Sequence, residues 1–307
     1  MLHIKNIFLS YKNPILKGIS FELKPGEIMG LVGKSGAGKS SLLKIIAGLV
    51  DQNEGEVIFK GKTQPLASQR LVPGHPGIEI VNQDFKLDPF HTVAENIREA
   101  ILYLPNDKRE RRVTKMLQLL GLKGLSNQIA KTLSGGEQQR VAIARAIAKS
   151  PSVILLDEPF AHLDARLRLK LTKYLQKIRE KEGVAMLLVS HDGQDILGLS
   201  DQVCIVNKGK LSRKKNPESI YYHSNKMDSL LFGPINEILL QDKKILFRPD
   251  EFVVNNKGEF KIQFESALFM GAVFNNFFTT PNGEEIILYS FEPLHDVAAI
   301  DIVKKHG

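Results

Sequence analysis

Apolar residues recur with two different periods along the chain, and each change of period marks an element. Residues 1–11 (MLHIKNIFLSY) and 14–23 (PILKGISFEL) predict two β-strands, separated by Lys12 and Asn13 and closed by a Pro25-Gly26 turn. Residues 27–32 (EIMGLV) form a short apolar strand that enters a glycine-rich loop, and residues 40–49 take helical spacing. Residues 56–59 (EVIF) predict a further strand. Residues 92–125 are helical in period, with a break at Leu104-Pro105-Asn106, and residues 137–148 predict another helix. The runs at 153–156, 184–189 and 202–206 are continuously apolar, as expected of parallel strands buried on both faces. Between the first two lies a long charged helix at 164–181. Strand–helix alternation of this kind argues for an α/β fold, a mainly parallel sheet covered by helices. The C-terminal part differs. Its short Phe/Ile/Val-rich runs are separated by turns at Asn255-Asn256-Lys257-Gly258 and Pro281-Asn282-Gly283, which predicts a small antiparallel all-β domain.

Composition sharpens that division. From residue 230 onward there are 7 Lys/Arg against 11 Asp/Glu, and 10 of the 16 phenylalanines. The overall charge of +8 is therefore −4 on residues 230–307 and +12 on residues 1–229, a shift of the kind a domain boundary produces. At 307 residues the chain is long enough for two domains with substantial cores. Its basic balance suits nucleic acid, an anionic membrane surface or a phosphorylated ligand. The single Cys204 excludes a disulfide framework and a multi-cysteine zinc module, and its apolar strand (Val203-Cys204-Ile205-Val206) predicts a buried structural thiol. No apolar stretch reaches the length of a spanning helix, and residues 1–13 lack the pattern of a signal peptide. Work at a membrane would require docking on other chains.

Residues 33–40, Gly33-Lys34-Ser35-Gly36-Ala37-Gly38-Lys39-Ser40, fit GxxxxGK[ST] in the required context, after an apolar strand and opening a helix. Glycines let backbone N–H groups converge on phosphate, and the helix dipole adds positive potential. Lys39 supplies a cation for the β/γ-phosphates and the Ser40 hydroxyl an oxygen for Mg²⁺. Downstream, residues 153–157 form an apolar strand that ends in Asp157-Glu158-Pro159. A parallel strand delivers its C-terminal end to the ligand crevice, so Asp157 would hold Mg²⁺ or its water shell, and Glu158 would act as general base toward the attacking water. Asp-Glu-Pro also ends strands for purely structural reasons; the phosphate loop upstream tips the balance toward chemistry. His191 leaves another apolar strand in Ser190-His191-Asp192, within possible reach of the γ-phosphate, although a lone His is commonly structural. Gln83, after the apolar run 78–81, presents an amide to Mg²⁺ or water.

The segment Leu133-Ser134-Gly135-Gly136-Glu137-Gln138-Gln139-Arg140 is a second anion site: Ser134 is placed to cap a helix, and two glycines open its N-terminus to an anion. It closely resembles the signature of ATP-binding cassette (ABC) ATPases. The order of phosphate loop, Gln83, signature, Asp157-Glu158 and His191 resembles that family over residues 1–225.

The resemblance implies a P-loop NTPase cassette over residues 1–229 with a helical subdomain at about 90–150, binding ATP and Mg²⁺. Gly33, Lys34, Ser35, Gly36, Ala37, Gly38, Lys39 and Ser40 would hold the phosphates. Ser40, Gln83 and Asp157 would serve the metal, and Glu158, His191 and Gln83 the hydrolysis. Tyr11 would stack on adenine, its alternative being a strand aromatic in the core. Ser134, Gly135 and Gly136 would contact the γ-phosphate held by a second copy of the chain, with Asp164 on the seam. Importer cassettes usually carry Ser-Ala-Leu-Asp there; this chain has Ala161-His162-Leu163-Asp164 and lacks the serine hydroxyl.

Residues 85–97 are similar to the segment that receives a coupling helix in importer ATPases. The stretches at 216–222 and 232–236 are similar to a tail leading into an accessory β domain. Phe247-Arg248-Pro249-Asp250-Glu251 resembles, more weakly, a strand of the OB-like TOBE domain, as in iron, polyamine, sulfate or molybdate importer ATPases. The resemblance therefore implies an importer ATPase subunit, peripheral on the cytoplasmic face of the plasma membrane, with two membrane-spanning permease subunits and a solute-binding protein as partners and no direct nucleic-acid partner. The contrasting reading is a soluble non-transport ABC ATPase linked to nucleic acid or assembly.

Overall fold

The computed structural model describes every residue except His162, Ser224, Gln241, Asp242 and residues 305–307. The His162 part of the departure from the importer pattern therefore lies outside the described residues. The chain divides into two compact units, Met1–Pro217 and Glu218–Gly307.

The first unit begins with β1 (Leu2–Ser10), β2 (Pro14–Leu23) and β3 (Ile28–Val32), followed by α1 (Lys39–Ile46), β4 (Glu54–Phe59), β5 (Lys62–Thr63) and β6 (Ile78–Val81). Helices α2 (Val93–Glu99), α3 (Asn106–Leu119) and α4 (Gly135–Ala148) come next, then β7 (Val153–Asp157), α5 (Ala165–Glu182), β8 (Ala185–Ser190), α6 (Gln194–Leu197), β9 (Gln202–Asn207) and β10 (Lys210–Leu211). An antiparallel sheet runs β2-β1-β4-β5, and a second sheet runs β10-β9-β3-β8-β7-β6. In the second sheet β9, β3, β8, β7 and β6 are parallel and only β10 is antiparallel. The apolar runs of β3 and β8 are buried at every position. Leu9, Ile19, Leu31, Leu42, Ile46, Leu155 and Leu187 belong to one core, which joins both sheets to α1.

The helical period at 92–125 resolves into two helices. Thr92 and Glu95 form a reciprocal capping box that starts α2, and Pro105 stands at the N-cap of α3. Arg98 grips Glu110 through two nitrogens, at 2.7 and 2.9 Å, and ties α2 to α3.

The second unit contains α7 (Pro217–Tyr222, which starts at the junction), α8 (Lys226–Ser229) and eight strands: β11 (Asn236–Leu240), β12 (Lys243–Phe247), β13 (Phe252–Val254), β14 (Phe260–Lys261), β15 (Gln263–Phe269), β16 (Phe274–Thr279), β17 (Glu285–Ser290) and β18 (Ala299–Ile302). Every pairing among them is antiparallel. Phe247, Phe278, Ile286, Leu288 and Ile300 form their core. The division falls at residue 217, twelve residues before the change in composition. Arg248 is the reason. Fully buried, it donates to the carbonyls of Tyr221, Ser229, Gly233 and Pro234 and lies 4.0 Å over the Tyr221 ring, which binds residues 218–234 to the β part.

Cys204 is fully buried in β9, and burial pushes its thiol up to about 12. His75 packs against Gly48, just past α1, where a Cβ at Gly48 would come within 2.6 Å of the imidazole Nδ1. Its ring is 5% exposed and Nδ1 has no hydrogen-bond partner. Burial, then the Arg70 charge, lowers its pKa to about 4. The fold thus favours neutral His75. Its contribution is complete above the ordinary value of 6.5 and is lost as pH falls through 4. Urea titrations across this window should show stability declining with acid, and His75→Gln should flatten that part of the curve.

Candidate functional site

Parallel pairing sets three strand ends level. Val32 stands opposite Ser190, and Asp157 opposite Val189. The alignment continues one residue further, where Gly33 N donates to Ser190 O at 3.2 Å and Glu158 N to Val189 O at 3.0 Å. Gly33 is required at the first crossing, because a Cβ there would sit 2.3 Å from the Val206 carbonyl oxygen. The loop then reaches Gly38, at φ +96°, which is the N-cap of α1 and offers no side chain to its free N–H groups.

Side chains converge on this edge. Lys39, 6% exposed, donates from Nζ to Gly33 O at 2.7 Å and Lys34 O at 3.2 Å, and lies 3.9 Å from Glu158 Oε1. Burial lowers its pKa, against the charges of Glu158 and Asp157. Ser40 Oγ donates to Asp157 Oδ1 at 3.1 Å. Burial raises the Asp157 pKa, opposed by that hydrogen bond. Glu158 occupies the left-handed region at φ 49°, a strained place for a residue with a Cβ. Its Oε2 lies 2.8 Å from His191 Nδ1 and accepts the His191 N–H at 3.3 Å. A carboxylate accepts, so in this contact Nδ1 is the donor. Lys39, Ser40, Asp157, Glu158 and His191 therefore form one connected cluster.

The remaining predicted residues stand apart from it. Tyr11, at the β1–β2 turn, is 69% exposed, so it does not pack in the core. Gln83 is exposed just beyond β6, and no hydrogen bond among the described residues joins it to the cluster. Ser134, Gly135 and Gly136 open α4 and make no hydrogen bond to the loop at 33–40 of the same chain. Ser134 occupies the N-cap position, as expected; its hydroxyl donates to Glu137 Oε2 at 2.8 Å, and its backbone N–H donates to the same oxygen at 2.9 Å. Ser134 and Glu137 thus form a capping box at the start of α4, and the bonds from Ser134 lower the Glu137 pKa. Asp164 caps α5 by accepting from Leu167 N at 2.8 Å.

Other contacts have no signature in the sequence. Arg145 of α4 donates to the carbonyls of Lys86 at 2.6 Å and Phe85 at 3.2 Å, both in left-handed conformations, two and three residues past Gln83. Gln139 Nε2 donates to Pro159 O, next to Glu158.

The donor set fits Mg²⁺. No group of three His, Cys, Asp or Glu among the described residues could hold a metal alone. A hydroxyl and a carboxylate oxygen on facing elements instead suit a hard cation whose other ligands are phosphate oxygens and water.

A parallel sheet with a phosphate loop, a buried lysine and paired carboxylates at its C-terminal edge defines a P-loop nucleotide-hydrolase domain. The family model described as ABC transporter matches residues 16–161. The spermidine/putrescine import ATP-binding protein PotA of Clostridium novyi is 36% identical over 265 residues, covering 84% of this chain and 75% of that one. The glucose import ATP-binding protein GlcV of Saccharolobus solfataricus is 32% identical, covering 95% and 92%. Among solved structures, cbiO1 of Clostridium perfringens, part of the ABC transporter complex cbiONQ, superposes with a TM-score of 0.66 at 27% identity, over 72% of this chain and 90% of that one. The ATP-binding cassette MJ0796, in a dimeric post-hydrolysis state bound to ADP and Pi, gives 0.63 at 30% identity, over 71% and 99%. The chain belongs to the ABC transporter family and is an ATP-binding protein of that family.

Lys39→Ala should weaken ATP binding roughly 10- to 100-fold by calorimetry, the weight of one or two charge-assisted hydrogen bonds. Unchanged affinity would remove Lys39 from the phosphate site.

Proposed function

We propose that the chain is the ATP-hydrolysing subunit of an ABC importer, pairing with a second copy around two ATP molecules and driving separate permease subunits at the cytoplasmic face of the membrane. The observation that carries the hydrolytic reading is the Glu158–His191 pair, set on the strand ends beside Lys39 and the Ser40–Asp157 pair. The importer reading is supported by relatives named for import of spermidine/putrescine, sulfate/thiosulfate and glucose, at 32 to 36% identity. Identity at this level follows the shared ATP chemistry and not one solute. Among the described residues no helix is long and apolar enough to cross a membrane. A solute-binding protein completes the assembly.

In this reading the backbone N–H groups of residues 33–40 and Lys39 hold the phosphates, and Tyr11, exposed at its turn, stacks on the base. Ser40 and Asp157, together with Gln83, would hold Mg²⁺. The bound metal supplies charge neutralisation on the phosphate oxygens. Glu158 takes the proton from the attacking water, and His191 Nδ1–H fixes the carboxylate oxygen that does so. Ser134, Gly135 and Gly136 of the partner copy approach the γ-phosphate. Their lack of bonds to their own phosphate loop supports this placement.

Glu158→Gln should retain ATP binding while kcat falls about 10²- to 10⁴-fold; near-normal ATPase would remove Glu158 as the base. Affinity purification of the tagged chain from membranes should recover a pair of membrane-spanning proteins. ATPase stimulated by RNA or DNA, with no such pair, would overturn the importer assignment.

A further inference from the structure

Arg168, on the second turn of α5, reaches in two directions. Its Nε donates to the Leu163 carbonyl at 3.0 Å, and its NH1 meets Asp195 Oδ1 at 2.5 Å. The Asp195 side chain is only 5% exposed, while that of Arg168 is 42% exposed. The other Asp195 oxygen accepts from Ser190 Oγ at 3.3 Å, and Ser190 Oγ in turn accepts the Asp192 N–H at 3.0 Å. Asp195 is therefore tied to Ser190 and, through the Ser190 hydroxyl, to Asp192, the two residues that flank His191.

The Leu163 side of the fork leads back to Glu158. Leu163 N donates to Phe160 O at 3.3 Å, and Ala161 N donates to Glu158 O at 3.1 Å. The Glu158–His191 contact at 2.8 Å then closes a ring: Glu158, Ala161, Phe160, Leu163, Arg168, Asp195, Ser190, His191 and Glu158 again. The ring contains the one strained carboxylate of the site and the imidazole that holds it. It also reaches Asp164, whose carbonyl accepts the Arg168 N–H at 2.9 Å.

We propose that Arg168 is a positioning residue for ATP hydrolysis: by holding the Leu163 carbonyl and the Asp195 carboxylate together, it fixes the spacing between the Glu158 loop and the strand end that carries His191. The proposal rests on the reading of Glu158 as general base. Arg168 itself touches no reacting group. Its effect is on how often the Glu158 carboxylate occupies the productive position, so it alters kcat and leaves ground-state ATP binding to the loop at 33–40. Lysine keeps the charge facing Asp195 but, as a point donor, cannot span both directions of the fork.

The test is steady-state Mg-ATP hydrolysis by the full chain, for the parent, R168A, R168K, D195N, R168A/D195N and E158Q. For R168A, kcat should fall roughly 10- to 100-fold, the cost of a misplacement near 1 Å. KM for ATP should stay within about twofold, since binding contacts are untouched. D195N should add little in the R168A background, because both act through one connection. R168K should recover part of kcat and melt within about 3 °C of the parent. R168K therefore carries the test if R168A fails to fold. R168A turnover within about twofold of the parent, R168K turnover equal to the parent's, or independent multiplication of the two defects would overturn the proposal. Loss of turnover in E158Q in the same assay would show that such a failure belongs to Arg168 alone. An active E158Q would overturn the base assignment instead.

Discussion

The level alignment of three parallel strand ends is the constraint on which the site depends. Backbone hydrogen bonds from Gly33 to Ser190 and from Glu158 to Val189 fix where the phosphate loop, the carboxylate pair and the histidine leave the sheet. A slip of one residue in β7 would move its end by about 3.3 Å and turn its side chains to the other face. Asp157 would then lose Ser40, and Glu158 would lose both Lys39 and His191. The register is held by burial: β7 and β8 pair Ile154 with Met186, Leu155 with Leu187 and Leu156 with Leu188, all out of contact with water. The chemistry of the edge is thus secured by apolar packing that takes no part in it.

Opposed charges share this edge under partial burial. Desolvation works against both ionised partners, lowering the Lys39 pKa and raising that of Asp157, while each partially restores the other. Lys39 satisfies its donors on two backbone carbonyls of its own loop. These are bonds that an incoming phosphate oxygen can replace with stronger, charge-assisted ones. Likewise, Ser40 and Asp157 hold each other where each can turn to a cation. Complementarity to a metal–polyanion pair is already present in how the residues occupy one another.

Much of this was legible in the sequence, for a local reason. Backbone cradles need glycine at fixed spacing, so residues 33–40 announce themselves, and buried strands need apolar runs, so β3, β7 and β8 do as well. What stayed hidden was set by contacts distant along the chain. The strained φ of Glu158 follows from the loop's closure onto Val189, and no residue type marks it. Arg145 and the Phe85–Lys86 carbonyls are about sixty positions apart. Ser134 was legible as an N-cap because its partner Glu137 is only three residues away. Composition placed the change of unit at residue 230 because it registers phenylalanine and charge; it could not register Arg248 gathering the preceding segment by its carbonyls.

Cys204 has a practical consequence. Its thiol lies inside β9, inaccessible and held in its protonated form, so the natural chain is silent toward thiol-directed reagents. One cysteine introduced at an exposed position would be the sole reactive handle on the molecule. Spin labels or fluorophores placed that way would report distances between two copies through a nucleotide cycle without first removing a native residue. The buried sulfur makes the protein its own cysteine-free background.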